Sequence, residues 1–352
     1  MKKILCLLLA MLTMLCAAAT AETVNREDEA VLNIFTWEGY IDYSTVIAPF
    51  EQETGIKVNY ATFASNEEMY EKLSAADGGE YDIILASDYM LNKSREDGLM
   101  QPFDPAVVTN FSNLNPAFTS QYFDPENKYV VPYVAGIPLI LYDPSVVDFE
   151  ITCLNDLWNP SLADSLGLVD DARVTIGMVL LSMGESMNTT DETVLAAAQE
   201  KLALLAPNVH VLEYENLHNY VVSGDVAVAY TFTPFVGLAL DANPDLKVVW
   251  PTEGLGFGID GCFIPVNAPH AKNANLFLEY LLRPEVAAVC AEWQYYSSPN
   301  AAALEVIGEW YLARPEFMGV YERMDDAEYV KNLPSADEQK FQDIWTAFKL
   351  SL

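Results

Sequence analysis

Leu32-Asn33-Ile34-Phe35-Thr36-Trp37-Glu38-Gly39-Tyr40 reads as a buried strand that runs into an aromatic, acidic tip. Leu32, Ile34 and Phe35 lie among β-formers, Gly39 punctuates the run, and Tyr43 to Gly55 has helical spacing. A strand therefore feeds a helix through a short loop. In open α/β sheets ligands sit outside the carboxyl ends of the strands. A Trp, a carboxylate and a Tyr at such an end suit a cationic, partly apolar ligand, because the ring face attracts ammonium and its area covers methylenes. An ordinary strand and turn, with Trp37 as core, uses the same residues.

On either side of this stretch the pattern repeats. Residues 22 to 30 are polar, and the fold is expected to start at Val31. Strand-like Val31 to Thr36, Lys57 to Phe63 and Tyr81 to Ala86 alternate with helical segments from Ser44, Asn66 and Tyr89, the signature of βαβ units in an α/β fold with a parallel sheet. Pro102, Pro105, Pro116 and Pro125 keep Gln101 to Lys128 loop-rich. Tyr129 to Tyr142 reads as one extended crossing, with Ala135-Gly136 where a first lobe passes to a second. The second lobe alternates again: extended Leu166 to Val169, helices from Arg173 and Glu192, strands Val209 to Tyr214, Val226 to Phe232 and Lys247 to Trp250. Gly254, Gly256 and Gly258 predict a hinge or turn before a strand from Cys262 to Val266, and helices are expected from Ala271, Pro284 and Ser335.

Lys2-Lys3, the apolar stretch Ile4 to Ala19 and the small residues Ala19-Thr20-Ala21 make residues 1–21 a signal peptide with a mature start at Glu22. A lipoprotein signal ending at Cys16 competes, but Leu15 is a large residue to precede a lipidated cysteine. The mature chain is therefore expected to be exported. The chain carries 51 Asp+Glu against 18 Lys+Arg, a formal charge of −33. Such a surface repels nucleic acid and anionic lipid and gathers small cations, although solubility alone also accounts for an acidic surface. Cys153, Cys262 and Cys290 remain after the signal is removed, so one disulfide at most can form.

Standard catalytic signatures are missing. His210, His218 and His270 lack metal-ligand spacing, and there is no C-x-x-C, H-E-x-x-H or G-x-S-x-G. No metal, cofactor or catalytic residue is expected. Glu38, Asp88, the Asp170-Asp171 pair and Asp260 fall at predicted strand ends, near Trp37, Tyr40, Tyr89, Phe257 and Tyr296 in the same positions. Together they sketch an aromatic box with carboxylates, while any one of the acids could instead be a turn or helix-cap residue, Asp170-Asp171 above all. A carboxylate pair could also serve a secreted glycosidase, though no spacing here fixes that geometry.

Several ordered stretches carry a family resemblance: N-I-F-T-W-E-G-Y (33–40), E-T-G-I-K-V (53–58), S-N-E-E-M-Y-E-K-L (65–73), Y-D-I-I-L-A-S-D-Y (81–89), L-V-D-D-A-R (168–173), V-V-W-P-T-E-G (248–254) and L-L-R-P-E-V-A (281–287). The chain resembles the periplasmic spermidine/putrescine-binding proteins of bacterial ABC importers. The resemblance implies a two-lobe periplasmic binding protein fold of type II with a ligand cleft between the lobes. Residues 31–136 with 260–302 would form one lobe and 137–259 with 303–352 the other. It further implies a monomer that binds a polyamine or similar organic cation, delivers it to an inner-membrane ABC permease and uses no cofactor.

By the same resemblance the binding residues are Trp37, Tyr40, Ser87, Tyr89, Asp171, Asp260 and Tyr296, with Phe232 where the family carries a tryptophan. Asp88 and Phe257 join them from the strand-end reading. Departures fall in the same pocket: the first-motif acid is displaced to Glu38, an expected acid is Val174, and an expected tryptophan is Gly258. Two matched acids, Asp171 and Asp260, would face two ammonium groups. An amino acid or peptide as ligand, a secreted carboxylate hydrolase, and a surface sensor or adhesin are the competing expectations.

Overall fold

The computed structural model describes residues 29–324 and 327–352. The expected signal peptide, with Cys6 and Cys16, lies outside them. Twelve strands are described: β1 (Val31–Trp37), β2 (Lys57–Phe63), β3 (Ile83–Ser87), β4 (Met100–Gln101), β5 (Val130–Gly136), β6 (Pro138–Tyr142), β7 (Leu166–Leu168), β8 (Val209–Leu212), β9 (Val228–Phe232), β10 (Lys247–Val249), β11 (Leu255–Pro265) and β12 (Ala327–Tyr329). The helices between them are α1 (Ala48–Thr54), α2 (Asn66–Ala75), α3 (Asp88–Glu96), α4 (Ala172–Leu181), α5 (Glu192–Ala203), α6 (Leu217–Ser223), α7 (Thr233–Ala242), α8 (Ala271–Leu281), α9 (Pro284–Gln294), α10 (Glu309–Leu312), α11 (Pro315–Arg323) and α12 (Ser335–Lys349).

The strands form two sheets. One has the order β12-β11-β3-β1-β2, with β4 and β5 also paired to β11; the other runs β10-β6-β9-β7-β8. The βαβ units make β1 parallel to β2 and β3, and β7 parallel to β8 and β9. The strands at the crossings run the other way: β11 is antiparallel to β3 and β5, and β6 to β9 and β10. A wholly parallel sheet is therefore not what forms, because a chain that leaves one sheet and later returns enters it in the reverse sense.

The extended segment expected over Tyr129 to Tyr142 is two strands in different sheets, joined at Ile137. Thr233 clamps this joint. Its Oγ1 accepts the Ile137 N–H at 3.0 Å, and its hydroxyl and N–H both donate to the Ile137 carbonyl, at 2.9 and 3.0 Å. The glycine turn is a correction. Gly254 alone has turn geometry, with φ of 131°, whereas Gly256 and Gly258 lie inside β11. Phe257 and Ile259 between and beyond them are buried, and a Cβ on Gly256 would come within 3.1 Å of Met187. Gly256 thus serves close packing of a strand rather than a bend, and Gly258 is a strand residue with open space beside it. β12, in the range assigned to the second lobe, adds to the first sheet by pairing Leu255–Phe257.

Helix starts follow side-chain caps. Ser65 accepts the Glu68 N–H while Glu68 accepts the Ala64 N–H, and Asp171 and Asp191 cap α4 and α5. Cys153, Cys262 and Cys290 are all free thiols. Among the described residues no helix is long and apolar enough to cross a membrane.

Under the first sheet Asp82, fully buried, ties three segments together. It accepts the Asn33 N–H at 2.7 Å and the His270 N–H at 2.6 Å, and pairs with His270 Nδ1 at 2.8 Å. Asp82→Ala would strand these donors away from water at about 1–3 kcal/mol each. The expected outcome is a loss of about 3 kcal/mol in urea unfolding with an unchanged slope. A loss under about 1 kcal/mol would show that the surrounding groups re-pair.

Candidate functional site

The carboxyl ends of β1 and β3 and the middle of β11 meet at one place. Asp260 stands opposite Ser87 in the β11–β3 register. The Tyr40 hydroxyl donates to its carboxylate, and Ser87 is also within hydrogen-bonding reach. Burial raises Asp260 above the ordinary carboxylate range, and these two hydroxyls partly offset that rise. Tyr40 is pushed well up, first by burial and then by the Asp260 charge. Asn66 fixes Ser87 from both sides, its amide donating to Oγ at 3.2 Å and its carbonyl accepting the Ser87 N–H at 3.3 Å.

Aromatic rings surround this carboxylate. Trp37, half-buried at the end of β1, packs against Tyr40 with centroids 4.9 Å apart and against Phe63 at 4.8 Å. Tyr296 fits over the crossing because Gly136 has no side chain: a Cβ there would lie 2.3 Å from Tyr296 Cε1. Burial and the neighbouring Asp260 push the Tyr296 phenol well above its usual value. Tyr89, on the first turn of α3, donates to Glu67 at 3.2 Å and feels the charge of Asp171.

Asp171 comes from the other sheet. It caps α4 by accepting the Val174 N–H at 2.9 Å, as the alternative reading of the acid pair had it. Burial nevertheless raises its carboxyl, and Glu67 across the cleft adds to the rise. The two roles share one side chain. Asp170 points elsewhere, accepting from Trp345 Nε1 at 3.0 Å and pairing with Lys349. Phe232, at the end of β9, is half-buried beside Tyr214, with centroids 5.8 Å apart.

Phe257, Glu38 and Asp88 have surroundings unlike those of the other expected residues. Phe257 is only 2% exposed and packs edge-on against Tyr329 and next to Phe118, so it is core rather than a stacking surface. The alternation along β11 turns it away from Asp260. Glu38 is exposed, and its charge is felt at Tyr60 on the β2 side. Asp88 is 2% exposed; one oxygen accepts the Tyr89 N–H at 2.7 Å and the other has no hydrogen-bond partner. Burial, and then Asp260, raise its carboxyl well above the ordinary range.

Two cleft residues escape the sequence reading, Glu67 and Tyr214. The capping box offered a signal for the first: Ser65 and Glu68 are spent on backbone, which leaves Glu67 free to face Tyr89. Arg173 is the cation whose charge reaches both Asp88 and Asp171. Its guanidinium is already bonded to Glu338 at 2.8 Å and Asn188 at 2.9 Å. Among the described residues no group of acids, histidines or cysteines could hold a metal ion. The arrangement can therefore desolvate an organic cation between rings and give it carboxylates from both sheets.

Residues 80–311 match the bacterial extracellular solute-binding proteins. The chain belongs to this family. It is 37% identical over 309 residues to a spermidine/putrescine-binding periplasmic protein of Escherichia coli, covering 88% of this chain and 87% of that one. Two solved structures share the fold. The spermidine/putrescine ABC transporter substrate-binding protein PotD of Streptococcus pneumoniae has 34% identity and a TM-score of 0.83, over 91% of this chain and 99% of that one. A putative spermidine/putrescine ABC transporter protein of Listeria monocytogenes has 33% identity and a TM-score of 0.84, over 92% and 100%. The fold is thus the two-lobe one of periplasmic binding proteins, with mixed α/β sheets.

The fit of Tyr296 over Gly136 is testable by a double-mutant cycle. Gly136→Ala should cost about 1–3 kcal/mol through overpacking. Made on top of Tyr296→Ala, the same change should cost almost nothing, because the ring it strikes is gone. Equal costs in both backgrounds, by chemical unfolding, would mean that another neighbour of Gly136 sets the limit.

Proposed function

We propose that this protein captures a polyamine, or a similar organic cation, outside the cytoplasmic membrane and hands it to an inner-membrane ABC permease, working as a periplasmic monomer without catalysis. The observation that carries this reading is that two carboxylates, Asp260 from one sheet and Asp171 from the other, both act on Tyr214 between them. Both carboxyls are raised by burial, aromatic rings lie beside them, and the nearest protein cation is engaged by other partners. An ammonium placed there replaces the water the carboxylates have lost. Each cation–π contact adds about 0.5–2 kcal/mol and each charge-assisted hydrogen bond about 1.5–3 kcal/mol. A few together reach micromolar affinity after the ordering cost is subtracted. Trp37, Tyr40, Ser87, Asp88, Tyr89, Asp171, Phe232, Asp260 and Tyr296 form the proposed site, with Glu38 at its rim and Phe257 supporting it from the core.

The relatives named for spermidine and putrescine support the same reading. A thermal-shift screen of putrescine, cadaverine, spermidine, spermine, agmatine and amino acids tests it directly, since a ligand bound only by the folded state raises the melting temperature. A polyamine should give the largest rise. A rise from amino acids alone would replace the polyamine with another solute.

Asp260→Asn should weaken binding of the best amine by a few kcal/mol while leaving the fold intact, because it breaks a buried charge pair. Equal affinities of variant and parent by calorimetry would remove Asp260 from the site.

The pH dependence has a definite sign. With raised carboxyls, Asp171 and Asp260 lose their charge at a pH above the ordinary aspartate range, and the cation loses its partners there. Their raised values also mean that the empty folded state binds more protons than the unfolded chain, so these groups add stability to the empty protein as pH falls from neutral. The rise in melting temperature caused by the amine should therefore shrink between neutral pH and the ordinary aspartate range. A rise that stays constant down to that range would show that charge pairing is not what binds the amine.

A further inference from the structure

Tyr214 belongs to no motif and is 47% exposed, yet the second sheet places it beside the candidate cleft. The order β9-β7-β8 sets the ends of three strands side by side: Phe232 ends β9, Asp171 follows β7, and Tyr214 follows β8. The β7–β8 pairing continues past the strands. The Glu213 N–H donates to the Leu168 carbonyl at 3.1 Å, and the Asp170 N–H points back to the Glu213 carbonyl at 3.4 Å. Tyr214 therefore leaves its strand next to the Asp170-Asp171 turn. Its loop is stiffened by the Glu213 carboxylate, which accepts the N–H groups of Tyr214 and Glu215 at 3.0 and 3.2 Å. From there the ring reaches across the width of β7 to Phe232, with centroids 5.8 Å apart.

We infer that Tyr214 and Phe232 form an aromatic roof over the Asp171 carboxylate, and that this roof receives one alkylammonium end of the ligand. The inference rests on the polyamine reading and deepens it, by naming a binding residue and the part of the ligand it holds. Burial first, and then the charges of Asp171, Asp260, Glu215 and Glu67, raise the Tyr214 phenol, in keeping with its strand-end position next to the Asp170-Asp171 turn. A carboxylate at a strand end between two aromatic residues suits a charged nitrogen followed by methylenes: the charge pairs with the acid and lies near the rings, and the methylenes cover aromatic area. Gly258, two residues before Asp260 on β11, leaves open space, with nothing closer than 4.0 Å to a Cβ placed there.

Calorimetric titration and stopped-flow dissociation of putrescine and spermidine, on Tyr214→Ala, Tyr214→Phe and the parent, test this. Tyr214→Ala should weaken both amines about tenfold, which is about 1.4 kcal/mol, mainly by faster release. Tyr214→Phe should stay within about threefold of the parent, because the ring face and not the hydroxyl carries the contact. Parent-like affinity in Tyr214→Ala overturns the inference. So does a loss in Tyr214→Phe as large as in Tyr214→Ala, since the hydroxyl would then be the contact. If the parent itself binds neither amine, it is the proposed function that fails, and that result differs from either of these. Since Tyr214 is exposed on a loop, both variants are expected to fold; a melting curve on each confirms it, and a further Tyr214→Trp variant should bind at least as tightly as the parent.

Discussion

The carboxylate of Asp260 is held by hydroxyls and not by a protein cation, and much of the first lobe is arranged to keep it so. Taking a carboxylate out of water costs several kcal/mol, and one or two charge-assisted hydrogen bonds return only part of that. Tyr40 must be held firmly to supply one of them. The Tyr133 hydroxyl and the Gln294 amide both donate to the Tyr40 carbonyl, at 3.0 and 2.6 Å, and Trp293 Nε1 donates to the Gly39 carbonyl at 3.0 Å. The loop after β1 is thus tied to the end of α9, more than 250 positions away in sequence. What remains uncompensated at Asp260 is what a cationic ligand can supply.

The same segment that holds Tyr40 also supplies Tyr296. Tyr295, with φ of 56°, ends α9 in the left-handed region. Ser297 then exchanges two 2.9 Å backbone hydrogen bonds with Ala135, while the Tyr311 hydroxyl donates to the Tyr296 carbonyl at 2.5 Å. Tyr296 is therefore anchored to the last residues of β5, where the chain passes to the other sheet. Ring and crossing are parts of one unit, so a movement of either lobe about Ile137 would be felt at Tyr296.

Much of this was legible in the sequence, and the reasons are local. The starts of α8, α9 and α12 at Ala271, Pro284 and Ser335, and the bounds of β2, follow from caps, prolines and periodicity that act within one turn or strand. The end of β1 was legible because Trp37 to Tyr40 combine aromatic and acidic groups where a strand stops. The misreadings have another cause. Gly254, Gly256 and Gly258 look like a turn in sequence, and only the neighbours of β11, with Met187 among them, make two of the three strand residues. β12 has three residues and exists because Leu255–Phe257 offers it an edge. Phe257 was placed in the cleft by its proximity to Asp260, but three positions along a strand reverse the facing. Tyr214 lacked any local signal, since its place depends on which strand lies beside β8.

The division of charge between the lobes gives the cleft its logic under the proposed function. Glu67 and Asp260 lie on one sheet's side and Asp171 on the other's, and the Asp171 carboxyl, raised first by burial, is raised a little further by the Glu67 charge. Like charges brought together in a poorly solvated space oppose the approach that brings them there. An organic cation between them reverses the sign of that interaction and adds its methylenes to Trp37, Tyr89 and Phe232. The lobes then have a reason to close on the ligand and none of comparable size to close without it. This is the condition for a hinge-type binding protein whose closed form reports occupancy. Arg173 does not defeat it, because Glu338 and Asn188 hold its guanidinium on the second lobe's own side.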